Sequence, residues 1–258
     1  MDPSEYGIYA HKLSHWYGDR MILEDVDLQV TPGEFFGFLG RNGAGKSTAI
    51  RALCGFLPPR EGEIWVAGVN VLKNPVELRR HIGVLSEDIA LYERLSGREF
   101  LEFAGQMHGL SASEARHRAE DLMERLELSA SAQRAIGAYS LGMKKKVAFA
   151  AALIHAPRVL FLDEPFNGVD AASTRLLCTL LQDLSTERGV TIFFTSHVIE
   201  MAERLCSRVA VLHEGRIRKQ GTVAELKADA ARQGTTLEEV FLQLTGANTA
   251  LLSPLNWY

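Results

Sequence analysis

The sequence predicts an α/β protein with a mainly parallel sheet, an N-terminal antiparallel β part and an inserted helical part. Apolar, strand-like runs alternate with helical stretches, which is typical of a parallel sheet covered by helices on both faces. A long segment, 88–140, has no strand pattern. Hydrophobic residues make up 47% of the 258 residues and charged residues 23%, which suits one large domain, or a domain with a subdomain.

The N-terminal strands differ in their patterns. "VDLQV" at 26–30 alternates apolar and polar residues, as a half-exposed strand does. After the turn "TPGE" at 31–34, "FFGFLG" at 35–40 is continuously apolar, and "EIWVAG" at 63–68 is another short strand. This part therefore mixes antiparallel-type strands with a buried one.

Four later apolar runs predict further strands, and helical stretches separate most of them. These runs are "IGVLS" at 82–86, "RVLFLD" at 158–163, "VTIFFTS" at 190–196 and "VAVLH" at 209–213. In the insert, Ser111 and Glu114 have capping-box spacing ahead of apolar residues at helical spacing. Near the C-terminus, "GTVAEL" at 221–226 begins one helix and Thr236 with Glu239 caps another, whereas the tail 247–258 has no clear pattern.

Composition narrows the possible functions. The net charge of −4 gives no broad attraction to nucleic acid, so no nucleic-acid partner is expected. The N-terminus lacks the apolar core of a signal peptide, and the longest apolar run, 147–154, is far shorter than the roughly 20 residues that span a bilayer. Together with three scattered cysteines, expected to be small buried residues, this predicts a cytoplasmic chain.

The segment "GRNGAGKST" at 40–48 has the spacing of a phosphate-binding loop between an apolar strand and a helical run. Its backbone N–H groups would surround the phosphates of a nucleotide. Lys46 would reach the β- and γ-phosphates, and the Ser47 hydroxyl would ligate Mg²⁺. The predicted nucleotide contacts are Asn42, Gly43, Ala44, Gly45, Lys46, Ser47 and Thr48.

A second motif, "VLFLDEP" at 159–165, is a buried strand that ends in two carboxylates. Asp163 would hold Mg²⁺, and Glu164 would polarise the attacking water. Two acids that merely cap the next helix are the alternative, which the first motif disfavours. Together the motifs predict a P-loop NTPase core, which kinases, GTPases, helicases and transport ATPases share.

A third stretch, "YSLGMKKKVAFAAAL" at 139–153, looks like a second anion site. Ser140 and Gly142 stand at the start of the predicted helix, where residues of these types are favoured. Three lysines, 144–146, crowd its first turns, although cations are normally favoured at the other end of a helix.

Here the chain resembles the ATP-binding subunits of ATP-binding cassette (ABC) transporters over essentially its full length. "YSLGMKK" stands where that family has its LSGGQ signature, with Ser140 and Gly142 matching. The tyrosine and methionine look like the exporter-type subfamily. The ending "TTLEEVFLQLTG" at 235–246 resembles exporters of the drug, sodium or antibiotic-resistance type, although any short amphipathic helix would look similar. The departures from the common signature are Tyr139, Leu141 and Met143.

The resemblance implies roles for further residues. Tyr17 would stack on adenine, with Trp16 as the neighbouring alternative. Asp170, in "NGVD", would support a dimer interface, and His197 would contact the γ-phosphate. Glu87 stands where the family usually has glutamine and would ligate Mg²⁺ or order the water.

The resemblance also implies an assembly. Two ATPase domains would dimerise head to tail, with each ATP between the phosphate loop of one and the signature of the other, and the partner would be a second copy or a related chain. The lysines would lie near this interface or face solvent. Arg41, where the family usually has proline, would be solvated or would touch partner or ligand.

A separate integral membrane permease would receive the motion, which places the chain on the inner face of the cell membrane. The expected division is a core with the β subdomain (1–87 and 158–220), a helical subdomain with the signature (88–157) and a C-terminal helical extension (221–258). In the family, the cleft beside the helical subdomain docks the permease. The apolar residues there are docking surface or, for most of them, subdomain core: Ile89, Leu91, Tyr92, Leu95 and Phe100.

Two other functions stay open at this point. A single-cassette ATPase of the iron–sulfur assembly type would act on a soluble scaffold instead of a permease. A regulatory module would bind ATP without turnover, although the intact Lys46, Asp163, Glu164 and His197 argue against it.

Overall fold

The computed structural model describes residues 2–232 and 234–246. Six strands form the larger of two sheets: β3 (Phe35–Leu39), β6 (Ile82–Leu85), β7 (Val159–Asp163), β8 (Thr191–Ser196), β9 (Arg208–His213) and β10 (Arg216–Thr222). Their order is β10-β9-β3-β8-β7-β6, and every pair is parallel except β10–β9. The mainly parallel sheet is therefore confirmed. The tail 247–258 lies outside the described residues.

A smaller antiparallel sheet packs on one face of the larger one. Its order is β2-β1-β4-β5, with the strands β1 (Ile8–Tyr17), β2 (Arg20–Val30), β4 (Glu61–Val66) and β5 (Val69–Asn70). The antiparallel β part at the N-terminus is confirmed. Phe36 and Phe38 of the central strand face this sheet with Phe193, whose ring centroid is 5.3 Å from that of Phe38.

The opposite face of the larger sheet packs against helices. Phe35 and Phe194 belong to this second core, so neighbouring residues of one strand enter different cores. Burial on both faces explains why these strands are continuously apolar. Helices α1 (Lys46–Leu53) and α2 (Pro75–His81) pack in the first core, beside the smaller sheet. The helices of the second core are α3 (Gly97–Met107), α4 (Ala112–Arg125), α5 (Leu141–Leu153), α6 (Ala171–Thr186), α7 (Ile199–Leu205), α8 (Val223–Arg232) and α9 (Leu237–Leu244).

Between β6 and the N-terminus of α5 the chain is helical, as expected, but one predicted cap is only half formed. Ser111 accepts the backbone N–H of Glu114 at 3.2 Å, whereas the Glu114 carboxylate pairs with Arg118 instead of returning to Ser111. The predicted cap at Thr236 is complete. Among the described residues, none of the helices has both the length and the apolar character needed to cross a bilayer.

Candidate functional site

The phosphate loop connects β3 to the start of α1. Gly45 immediately precedes α1 with a φ of 110°, in the left-handed region that glycine favours. A Cβ atom there would lie 2.8 Å from the carbonyl oxygen of Ile22, so a side chain would collide with β2. The loop thus packs tightly against the smaller sheet, and the first residue of the helix is Lys46.

Lys46 is buried, with 6% of its surface exposed. Its ammonium group donates a hydrogen bond to the carbonyl of Gly40 at 2.8 Å and lies 3.4 Å from that of Arg41. The same group lies 3.2 Å from Oε1 of Glu164. The loop therefore aims its lysine at the carboxylate that ends β7.

The two carboxylates at the end of β7 have different surroundings. The hydroxyl of Thr195 donates a hydrogen bond to Oδ1 of Asp163 at 2.6 Å. The same hydroxyl oxygen of Thr195 accepts a hydrogen bond from the backbone N–H of Glu164 at 3.1 Å. Glu164 has a φ of 46°. Residues other than glycine rarely adopt this left-handed conformation, and those that do are concentrated at functional sites. Oε2 of Glu164 lies 3.1 Å from Nδ1 of His197, whose imidazole is partly exposed. Thr195 was not predicted as a site residue, although a hydroxyl near the end of the neighbouring strand β8 was the available signal.

A cavity of about 360 Å³ lies over the phosphate loop. Glu87 and Glu164 line it together with Arg20 and Ile22 of β2, which the sequence did not single out. Asp163 is buried and does not line the cavity. The contributing loop and helix residues are Asn42, Gly43, Gly45, Lys46, Ser47 and Thr48. Lysine, backbone N–H groups and a helix start in one cavity make a site for polyphosphate.

Ala44 and His197 line a second cavity, of about 460 Å³, on the other side of the loop. Arg41 lines it too, opposite Phe241 and Thr245 in and after α9. Helix α9 therefore lies beside the phosphate loop.

Tyr17 lies at the end of β1, cross-strand from Arg20 of the first cavity. Its side chain is 48% exposed and meets the ring of His15 edge-on, with ring centroids 4.8 Å apart. Trp16, the alternative, pairs with Met21 in the same hairpin. An exposed aromatic ring at this edge is available for stacking.

The signature residues lie elsewhere on the subunit. Ser140 caps α5 by accepting the N–H of Met143 at 3.3 Å, and its side chain is exposed. A Cβ atom on Gly142 would lie 3.5 Å from Oδ2 of Asp170, which in turn caps α6 at Ser173. These backbone hydrogen bonds lower the pKa of Asp170. The signature and the Asp170 loop thus form one surface, and none of its residues lines the phosphate-loop cavity.

The three lysines were expected near an interface or in solvent; burial contradicts solvent exposure for two of them, and the interface stays a prediction. Lys144 pairs with Glu93, but Lys145 and Lys146 are 5% and 7% exposed. Lys145 donates to the backbone carbonyl of Glu164 at 3.3 Å. Burial lowers the pKa of Lys145, and the carboxylates of Glu87 and Glu164 oppose this shift.

A groove of about 500 Å³ runs between β6, α3 and α5. Four of its lining residues are large, apolar and exposed: Phe56, Tyr92, Phe103 and Met107. Of the residues named from the sequence, Phe100 is buried in the core and Leu91 and Leu95 pack against that core. Tyr92 is instead an exposed part of the groove.

Comparisons with known proteins agree with this geometry. The family model for ABC transporters matches residues 23–167, which is more than half of the chain. The chain is 39% identical to the daunorubicin resistance ATP-binding protein DrrA3 of Streptomyces coeruleorubidus over 92% of this chain and 74% of that protein. It is 38% identical to the ABC transporter ATP-binding protein NatA of Bacillus subtilis, over 79% of this chain and 83% of that one.

Solved structures have the same fold. An ATP-binding subunit of an ABC transporter superposes with a TM-score of 0.85 and 32% identity, covering 92% of this chain and 98% of the other. A dimeric bacterial ABC transporter cassette matches with a TM-score of 0.77 and 26% identity, covering 84% and 98%. From the loop, the paired carboxylates, the signature helix and these similarities, the chain belongs to the ABC transporter family, as an ATP-binding subunit that hydrolyses ATP.

Proposed function

We propose that two copies of this chain close head to tail around two ATP molecules and drive a separate membrane permease. The observation that carries this is the separation of two phosphate-binding surfaces on one subunit. Lys46 lines one cavity, whereas Ser140 and Gly142 lie on another surface and face solvent or Asp170. A second subunit can bring its signature to this loop. The dimeric form of a related cassette supports the arrangement.

Within each ATP site we assign roles by chemistry. Lys46 and the loop N–H groups bind the phosphates, Tyr17 stacks on adenine, and the partner's signature and Asp170 loop close the site. Glu164 orients the attacking water as the general base. His197, 3.1 Å from that carboxylate, contacts the γ-phosphate.

The donor set also fits a Mg²⁺ ion. Ser47 and Glu87 line the loop cavity, and Asp163 has one carboxylate oxygen that is not engaged by Thr195. Hydroxyl and carboxylate oxygens are the hard ligands that Mg²⁺ prefers, and it completes its shell with phosphates and water. Bound there, the ion would neutralise phosphate charge.

The permease would dock in the apolar groove between β6, α3 and α5. Exposed Tyr92, Phe103 and Met107 in one groove favour a protein partner over solvent. Relatives that include the daunorubicin resistance protein support an exporter, held on the inner face of the cell membrane by its permease. We divide the chain into the core with its β subdomain (1–87 and 158–220), the helical subdomain (88–157) and the C-terminal extension from residue 221.

The test of the dimer uses size-exclusion chromatography with Mg-ATP. Glu164→Gln keeps the shape of the side chain but removes the base, and loss of a general base costs roughly 10²- to 10⁴-fold in rate. ATP should then bind without turnover and the dimer should accumulate. Adding Ser140→Arg places bulk and charge at the partner's γ-phosphate, so the dimer should disappear while each monomer still binds ATP.

The matched control is Ser113→Arg, which adds the same side chain at an exposed position of α4. It should leave the Glu164→Gln dimer intact. Equal dimerisation with Ser140→Arg would rule out the signature as the second half of the site. Co-purification with a soluble scaffold, and never with membranes, would favour the iron–sulfur assembly type of ATPase.

A further inference from the structure

The signature helix α5 has a second contact that faces inward. Its N-cap residue Ser140 is exposed, but five residues later Lys145 is buried, with 5% of its surface exposed. The ammonium group of Lys145 donates to the carbonyl oxygen of Glu164 at 3.3 Å. About 1.4 helical turns, a rise of about 7.5 Å, therefore separate the surface offered to a partner from a contact to the subunit's own ATP site.

The hydrogen bond from Lys145 holds the backbone of Glu164 and can therefore control the position of the Glu164 carboxylate. Glu164 has a φ of 46°, so its backbone conformation must be held by its surroundings. Its N–H donates to Thr195, and its carbonyl accepts from Lys145 and from the backbone N–H of Asn167, each at 3.3 Å. A hydrogen bond from a cation is stronger than one between neutral groups. Of these contacts, the one from Lys145 is the charged one, and it comes from the signature helix.

Lys145 also sits among the charges of the site. The carboxylates of Glu87 and Glu164 both favour its charged form against the effect of burial on its pKa. Its neighbours differ, because Lys146 has Glu127 at 3.8 Å and Lys144 has Glu93, and neither acid lines the phosphate-loop cavity. Of the three lysines, Lys145 is thus the one with a contact to the ATP site of its own subunit.

We propose that Lys145 is a positioning residue that ties the signature helix to Glu164 of the same subunit and so couples the two ATP sites of the dimer. The proposal rests on the head-to-tail dimer proposed above. ATP held by the signature of one subunit moves or fixes α5. Through Lys145 this reaches the carboxylate that acts on the other ATP.

The test compares three variants of the full chain in Mg-ATP hydrolysis. Lys145→Met keeps the buried stem but removes the donor, and kcat should fall about 10- to 100-fold, as expected when a catalytic group is displaced by about 1 Å. KM for ATP should stay within about twofold, since Lys46 and Ser140 are untouched. The Hill coefficient for ATP should fall towards 1. Lys145→Gln can still donate to the carbonyl and should recover part of kcat.

Lys146→Met is the matched control, with the same helix, the same side-chain change and similar burial. It should keep kcat within about twofold of the wild-type value. A loss equal to that of Lys145→Met would show a general effect of a missing buried lysine and would overturn the proposal. So would a wild-type Hill coefficient of 1. If Lys145→Met does not fold by circular dichroism, Lys145→Leu, which also lacks a hydrogen-bond donor, replaces it, and a wild-type kcat for that variant refutes the role.

Mixed dimers locate the effect. Two differently tagged copies are co-purified, one of them with Glu164→Gln, so that only the other copy turns over ATP. Lys145→Met in the active copy should slow turnover, whereas in the Glu164→Gln copy it should have less than a threefold effect. The reverse pattern, or equal loss, would mean that Lys145 merely shapes the signature. If Glu164→Gln forms no ATP-dependent dimer, the proposed function fails; if it dimerises and Lys145→Met behaves as wild type, only the role of Lys145 fails.

Discussion

The ammonium group of Lys46 lies 3.2 Å from Oε1 of Glu164, and both side chains are buried. The oxygen has no hydrogen bond of good geometry, so the contact is an ion pair. The group expected to bind phosphate thus pairs with the group expected to activate water. A phosphate bound by Lys46 would compete with Glu164 for the ammonium group, and this would leave the carboxylate free to orient water.

Lys46→Ala should weaken ATP binding and also destabilise the nucleotide-free subunit. Removing one partner of a buried ion pair leaves an uncompensated charge and costs about 3–5 kcal/mol. Here the partly exposed His197 offsets part of that cost. Urea unfolding and a nucleotide-binding assay measure the two effects. The double variant Lys46→Ala/Glu164→Gln should recover most of the free energy of unfolding but not ATP affinity. If the losses of unfolding free energy in the two single variants simply add up in the double variant, Lys46 and Glu164 do not stabilise each other.

Glu87→Ala should leave ATP affinity largely intact but reduce turnover or its coupling to transport. The residue lines the loop cavity with Ser47 and belongs to the segment that leads from β6 into the helical part. Glu87→Gln, which keeps an oxygen ligand, should retain more activity than the alanine variant. Full transport with normal ATPase in Glu87→Ala would show that the position is only structural.

Tyr17→Ala should weaken ATP binding through lost stacking on the base. Base–aromatic stacking is worth about 1–3 kcal/mol by alanine substitution, and Tyr17→Phe should retain it. Tripolyphosphate has no base, so its affinity should be the same in all variants. A loss of ATP affinity in Trp16→Ala, with none in Tyr17→Ala, would transfer the role to Trp16.

Stability should fall on acidification because of His155. Its ring stacks on that of His108 with centroids 3.7 Å apart, and Nε2 donates to the carbonyl of Ile82 at 2.9 Å. Burial, with His108 as a second cause, lowers the pKa of His155 to about 4. The unfolded chain therefore binds a proton that the folded chain does not as pH falls from about 6.5 to about 4. The folding stability that depends on neutral His155 is therefore fully present above about pH 6.5 and is lost as the pH falls towards about 4.

The variant His155→Gln keeps a donor for Ile82 but cannot titrate. Its melting temperature should fall less between pH 7 and pH 5 than that of the wild type. His117→Gln, on the exposed side of α4, is the control and should keep the wild-type slope. Identical slopes in all three proteins would remove His155 as the cause.

Three strands of the fold, β1, β5 and β10, were not predicted from the sequence, and β5 has only two residues, Val69 and Asn70. β1 has irregular register between Ala10 and Leu13, where Lys12 adopts a φ of 49°, so its apolar residues do not alternate. β10 reads "RIRKQGT" and lies at the sheet edge, where one side has no strand neighbour among the described residues and polar residues are tolerated. The buried strands were found because burial on both faces demands apolar residues throughout.

The residues of the candidate site also fall into two groups, those that local motifs predicted and those whose role depends on tertiary contacts. Lys46 and Glu164 come from local motifs in which spacing and chemistry coincide, and the structure brings them together. Thr195 and Lys145 act on Glu164 across 31 and 19 residues of chain. Their contacts arise from the parallel neighbour strand and from the packing of α5, which a linear pattern does not contain. The signature pattern indicated an anion site but gave no sign that two of its lysines point into the subunit.

The burial of the cysteines has a practical consequence for optical measurement. Cys54, Cys178 and Cys206 are the only three in the sequence, and all are buried. Burial raises the pKa of each thiol, so the reactive thiolate is suppressed. A maleimide dye should therefore not label the folded wild-type protein. Cysteine introduced by Ser113→Cys on α4 would then be the single labelling site, and energy transfer between two labelled copies would follow their approach and separation in real time without a cysteine-free background.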